Sequence, residues 1–154
     1  MITAVDLPNE TATAALAARV AALAVEKDII ALKGDLGSGK TSFARAFIRA
    51  RGGNEEVPSP TFTLVQVYEL CPTPIWHFDL YRLRRPEEAW ELGIEVAFDE
   101  AISLIEWPDR LDPLLPERRL EISLAFGDRP DARRAVLGAP PAWRARLRGI
   151  LTGA

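Results

Sequence analysis

Between residues 34 and 41 the chain reads Gly-Asp-Leu-Gly-Ser-Gly-Lys-Thr. The spacing Gly34-x-x-x-x-Gly39-Lys40-Thr41 is that of a phosphate-binding loop. Glycines admit backbone angles closed to other residues and keep side chains away from a ligand. Successive N–H groups can then turn inward on phosphate oxygens, and a helix starting at the loop adds its positive end. In such a loop Gly34, Asp35, Leu36, Gly37, Ser38 and Gly39 cradle the phosphates. Lys40 neutralises their charge and Thr41 offers a hydroxyl to Mg2+. The motif follows an apolar run, DIIALK, and opens a segment with Phe43, Phe47 and Ile48 at helical spacing, which is the context it requires. The expectation is a protein that binds a nucleoside triphosphate with Mg2+. No Asn-Lys-x-Asp element of the guanine-reading kind occurs, which favours ATP.

Such a site needs a carboxylate near the metal, and two acids stand where strands should end. Asp79 closes IWHFD and Glu106 closes ISLIE. The residues alone do not assign which acid touches Mg2+ and which orients water. Ser59-Pro60-Thr61-Phe62-Thr63 lies where a switch segment would lie. The Thr61 hydroxyl there can reach a γ-phosphate or metal, or Thr61 can simply begin a strand. His77 shares a face with Asp79 if that strand is regular, and reads as a packed histidine sooner than a base. Trp107, taken alone, reads as strand-end packing. Cys71 sits in a turn as a bystander. Arg144, Arg146 and Arg148 make a basic helix face, solvated or turned to tRNA or an acidic partner.

The elements that must position these groups follow from periodicity. Ile2–Leu7 alternates as a strand. A helix follows, with Leu16, Val20 and Leu23 on one face and Asn9 or Thr11 as its cap. Asp28–Lys33 is a short buried strand. The loop helix starts near Lys40 and ends at Gly52-Gly53. Thr61–Leu70 and Ile75–Leu80 read as an antiparallel hairpin, with Pro86–Leu92 a short helix after it. Ala101–Trp107, Arg119–Phe126 and Arg133–Leu137 are strands, and Ala142–Leu151 a helix. The fold class is α/β, a P-loop NTPase-like sandwich with a mixed, partly antiparallel central sheet flanked by helices. Residues 1–154 read as one domain.

Bulk properties narrow the rest. Net charge is −3 and 27% of residues are charged, so the whole chain is no polycation built for nucleic acid. A single cysteine makes no internal disulfide and no cysteine metal cage, which fits a reducing cytoplasm. No signal peptide and no apolar stretch of membrane-spanning length is apparent.

Four blocks then occur in order: the loop, Ser-Pro-Thr-Phe-Thr-Leu-Val, His-Phe-Asp-Leu-Tyr-Arg-Leu and Glu-Trp-Pro. Running from Gly34 to Pro108, about half the chain, they resemble the TsaE (YjeE) family. That family comprises small bacterial ATPases of tRNA threonylcarbamoyladenosine (t6A) biosynthesis. The resemblance implies weak ATP hydrolysis by the chain alone and work with TsaD and TsaB. Those partners modify adenosine 37 of tRNA. It further implies a catalytic role for Asp79, phosphate contacts from Lys40 and a switch role for Thr61. Thr41 and Glu106 would be metal ligands, and Trp107 would lie near the nucleotide. No arginine finger within the chain stands out, although Arg82 is a possible contributor. Two rivals share the loop: a small P-loop kinase, for which Arg84-Arg85 is a weak lid, and a binding module gated by ATP without turnover.

Overall fold

The computed structural model describes residues 2–53 and 63–148. Asn9 stops the first strand, β1 (Ile2–Leu7), from running on, because its side chain caps α1 (Glu10–Leu23) by accepting from the Ala12 N–H at 2.9 Å. Leu16, Ala17, Val20 and Ala21 are the buried face of that helix. The chain then crosses into β2 (Ile29–Lys33), turns through the loop and enters α2 (Lys40–Ala50). The hairpin follows as β3 (Val65–Tyr68) and β4 (Ile75–Asp79). Two short helices, α3 (Glu88–Glu91) and α4 (Ile94–Glu100), lead to β5 (Ile102–Glu106). A 3-10 turn at Pro108–Leu111, then β6 (Leu120–Phe126), β7 (Arg133–Gly138) and α5 (Pro141–Arg146) complete the described chain.

The strands form one seven-stranded sheet in the order β1-β7-β6-β2-β5-β4-β3. Its middle, β6-β2-β5-β4, is parallel, and β1, β3 and β7 pair antiparallel at the flanks. This is the mixed sheet expected. The central strands read as unbroken apolar runs because helices cover both faces. On one face Ile30, Leu32, Leu104 and Ile122 pack with Val20, Phe43, Phe47 and Trp143 of α1, α2 and α5. On the other, Ile29, Phe78 and Ile105 pack with Ala89, Ile94 and Ala97 of α3 and α4.

Several boundaries differ from the sequence reading. The first hairpin strand covers only Val65–Tyr68, because Leu64 takes a left-handed φ of 66° that breaks the extended run. The segment read as one helix over Pro86–Leu92 is the single turn of α3, and α4 was not anticipated. Gly93, at φ 81°, separates the two. Trp107 falls outside β5 at φ 59°. The last helix ends at Arg146, with residues 149–154 outside the described chain. The basic face is also corrected. Arg146 turns inward to Asp28 at 2.6 Å and lies 4.3 Å from the Trp143 ring, and Arg144 reaches the Ala139 carbonyl.

Candidate functional site

The parallel strands end on one side of the sheet, and the loop after β2 rises between the ends of β5 and β6. It can do so only because residue 34 lacks a side chain. A Cβ on Gly34 would stand 2.4 Å from the Leu124 carbonyl oxygen of β6 and 2.4 Å from the Ser38 hydroxyl. Gly39 caps α2 at φ 107°, a left-handed turn that delivers the chain into the helix.

Lys40, the first residue of α2, is almost fully buried at 4% exposure. Its Nζ donates to the carbonyls of Gly34 at 2.6 Å and Asp35 at 2.9 Å, and lies 4.2 Å from the centre of the Trp107 ring. Burial lowers the Lys40 pKa below its ordinary 10.5, while Glu106, Asp79, Asp35 and Asp109 pull in the opposite direction.

Glu106 gathers the site. Its Oε1 accepts from the Thr41 hydroxyl at 2.9 Å, and its Oε2 accepts from His77 Nε2 at 2.7 Å. With Nε2 donating, the buried Nδ1 of His77 has no hydrogen-bond partner. Asp79 stands directly across from Glu106 in the β4–β5 register, and its Oδ1 accepts from the Tyr81 N–H at 3.1 Å. Both acids are buried at a rim, which is what two strand-end carboxylates beside a loop require.

A cavity of about 270 Å3 opens here, lined by Leu36, Gly37, Gly39, Thr41 and Ser42 with Lys40, Asp79, Glu106 and Trp107. A second of about 260 Å3 adjoins it, sharing Gly39 and Ser42 and bounded by Thr13, Arg45 and Arg133 among others. Of the loop residues singled out from sequence, Gly34, Asp35 and Ser38 do not line the first cavity. Gly34 and Asp35 present carbonyls to Lys40, and Ser38 is buried within the loop. Arg82 is also absent from the lining. Thr61 lies outside the described residues.

Two contacts at the site were not anticipated. His77 is packed, fully buried in β4, and it also holds one oxygen of Glu106. The sequence carried a partial signal, the i, i+2 spacing of His77 and Asp79. Arg133 donates to the carbonyls of Ser38 and Gly37, 95 and 96 positions away in the chain, and no local pattern pointed to it.

The residues present fit the groups the loop implies. Thr41, Glu106 and Asp79 offer hard oxygen donors, the kind Mg2+ prefers. Among the described residues no cluster of three or more His, Cys, Asp and Glu side chains forms a protein-only metal cage. Among the described residues no helix is long and apolar enough to cross a membrane.

The chain is similar to known proteins in sequence and in fold. The family model described as threonylcarbamoyl adenosine biosynthesis protein TsaE matches residues 7–135. The tRNA threonylcarbamoyladenosine biosynthesis protein TsaE of Rickettsia felis is 44% identical over 79% of this chain and 72% of that protein. Its namesake in Haemophilus influenzae is 42% identical over 75% and 73%. That of Bacillus subtilis is 37% identical over 74% and 72%. The crystal structure of Bacillus subtilis YdiB superposes with a TM-score of 0.81 at 30% identity, covering 99% of this chain and 95% of that one.

Proposed function

This chain belongs to the TsaE family, and on that premise we propose that it binds and hydrolyses Mg2+-ATP in support of t6A formation on tRNA. It acts with TsaB and TsaD rather than performing the transfer itself. The observation that carries the reading is the Thr41–Glu106 contact at 2.9 Å, set between Lys40 and Asp79 at the start of the loop helix. A hydroxyl and a carboxylate touching at that point are hard oxygen donors that would hold a divalent cation together with the phosphates and water. The cavity at the loop would take the ATP phosphates, and the adjoining groove, which shares Gly39 and Ser42 with it, leaves room for the nucleoside.

The chain's residues divide the work. Loop amides and the N-terminus of α2 bind the phosphates. Lys40 leaves the Gly34 and Asp35 carbonyls and donates to phosphate oxygens, so its buried charge is matched by an anion. Thr41 and Glu106 hold Mg2+, which when bound offsets charge developing on the phosphates. His77 keeps Glu106 aimed at Thr41. Asp79, one strand over, accepts a hydrogen bond from the attacking water and orients it in line with the γ-phosphate. Lys40 is the one cationic side chain lining the phosphate cavity among the described residues. A site with a single such group should turn over slowly alone, since an added arginine is worth roughly 10³-fold or more in related hydrolases. A partner that supplies or orders such a group would raise the rate.

The test is phosphate release from Mg2+-ATP by the full chain, alone and with TsaB and TsaD, with Lys40→Ala and Asp79→Asn as controls. Partner-stimulated release that both substitutions abolish supports the reading. Nucleotide binding without free phosphate under either condition would hand it to the kinase or gate alternatives. Phosphate found on a metabolite separates those two.

A further inference from the structure

We propose that Arg133 is a positioning residue of the phosphate loop, holding the loop's outward carbonyls from behind so that the Gly39 amide stays aimed at phosphate. The proposal rests on the nucleotide-binding reading above. The guanidinium makes a four-point bridge. Its Nε donates to the Ser38 carbonyl at 2.9 Å and its Nη2 to the Gly37 carbonyl at 3.3 Å. Its Nη1 donates to the Pro130 and Ala132 carbonyls, each at 2.8 Å. The same group lies 5.0 Å from the Phe126 ring centre, and Phe126 is the residue opposite Arg133 in the β6–β7 register. One side chain thus ties the loop to the turn between β6 and β7, itself closed by the Gly127 N–H on the Ala132 carbonyl.

A peptide unit is planar and trans, so its C=O and N–H point opposite ways. Drawing the Ser38 carbonyl toward Arg133 therefore turns the Gly39 N–H the other way, and Gly39 borders both cavities. The Ser38 N–H is meanwhile engaged with the Asp35 carbonyl at 3.0 Å, so the clamp on the Gly37 carbonyl locks that inner turn. The loop needs outside support. Gly37 and Gly39 flank Ser38 with positive φ of 81° and 107°, and glycine peptides rotate freely when nothing holds them. Ser38 cannot anchor the loop through its side chain, because its buried hydroxyl has no hydrogen-bond partner. Two of the four acceptors lie in the loop and two in the β6–β7 turn, so the guanidinium spans both segments at once. Its side chain also borders the adjoining groove beside Gly39. A planar fork reaches two segments at once, whereas an ammonium cannot. That difference separates the clamp from a simple charge effect.

The experiment uses the full chain as wild type, Arg133→Lys and Arg133→Gln, with Mg2+-ADP as probe. Calorimetric titration gives affinity, thermal unfolding without nucleotide gives stability, and amide hydrogen exchange follows residues 36–39. The clamp predicts that both variants bind ADP about ten-fold more weakly and exchange the loop amides faster, with exchange in β2 and α1 unchanged. A role confined to stability would lower the melting temperature and leave ADP affinity, measured well below it, at the wild-type value. That result overturns the proposal, as does full rescue by Arg133→Lys. If Arg133→Gln fails to fold, the lysine variant decides alone. If wild type itself binds no ADP, the nucleotide reading fails separately. Unchanged loop exchange in the variants then still refutes the clamp.

Discussion

Replacing His77 with leucine removes the donor that holds Oε2 of Glu106 at 2.7 Å. Glu106 is 2% exposed, so water cannot take the donor's place. A hydrogen bond to a charged acceptor contributes about 1.5–3 kcal/mol, and orphaning the acceptor incurs its desolvation as well. The single variant should therefore lose about 2–3 kcal/mol of unfolding free energy without metal or nucleotide. For a domain of this size each kcal/mol lowers the melting temperature by roughly 2–4 °C, so the fall should be roughly 4–12 °C. Leucine at both positions tells a different story. His77 pairs in register with Leu104, and removing both partners together leaves neither of that pair unsatisfied. Thr41 and Lys40 lose Glu106 equally in the Glu106 single variant and in the double, so that loss cancels in the cycle. His77→Leu/Glu106→Leu should recover about 2 kcal/mol relative to the sum of the two single losses. Urea unfolding of the four proteins in chelator, followed by circular dichroism, closes the cycle. Losses that add to within about 0.5 kcal/mol would mean that the two side chains do not interact, and the hub assigned to Glu106 would be wrong.

Lys40→Met should abolish nucleotide binding yet leave the free protein at least as stable near neutral pH, because it removes a buried charge. Burial holds the Lys40 pKa below 10.5, so the unfolded chain binds more protons as pH approaches that value. Wild-type stability should then rise against Lys40→Met on the alkaline side, and a flat difference would refute the burial argument. Gly34→Ala should cost ~3 kcal/mol or more in denaturant unfolding, because its Cβ meets backbone at 2.4 Å. Gly37→Ala meets nothing within 4 Å and should cost only ~1 kcal/mol for its positive φ; equal losses would contradict the packing. Trp107 emission should change when ADP draws Lys40 away from the ring 4.2 Å off, and Trp107→Phe should erase that change although Trp76, Trp90 and Trp143 remain.

The parts legible in sequence were those that local chemistry dictates. Asn9, one of two caps the sequence offered beside Thr11, marked a helix start because its side chain can accept from a first-turn amide, as it does from Ala12. Asp79 and Glu106 were placed at strand ends because each closes an apolar run, and the parallel register then brings them side by side. What stayed hidden depends on pairing between distant segments. Nothing near Arg133 says that β7 will return beside β6 and deliver a guanidinium to residues 37 and 38. His77 gives the same lesson at closer range. Its alternation with Asp79 set the face, but only the neighbouring strand decided that a carboxylate would meet it. The α3–α4 break was missed because the run after Pro86, residues 87–100, has no proline and one glycine, and Gly93 sits where a left-handed residue could end one helix or be absorbed in a longer one.

The site also explains where this fold gives up stability. A cation at 4% exposure, two buried carboxylates and two buried polar atoms without partners, Ser38 Oγ and His77 Nδ1, lie within or directly behind one rim. Elsewhere the sheet is packed mainly with apolar side chains on both faces, with the Ser103 hydroxyl and Trp143 Nε1 also buried without a partner. What the loop concentrates is buried charge: Lys40, Asp79 and Glu106. Lys40 rests on two carbonyls that cannot neutralise it, and Thr41 spends its hydroxyl on Glu106. Phosphate and a divalent cation would satisfy both at once. On the proposed nucleotide reading, each resting contact stands in for a stronger ligand contact, so the free site is held in shape without being bonded too tightly to open.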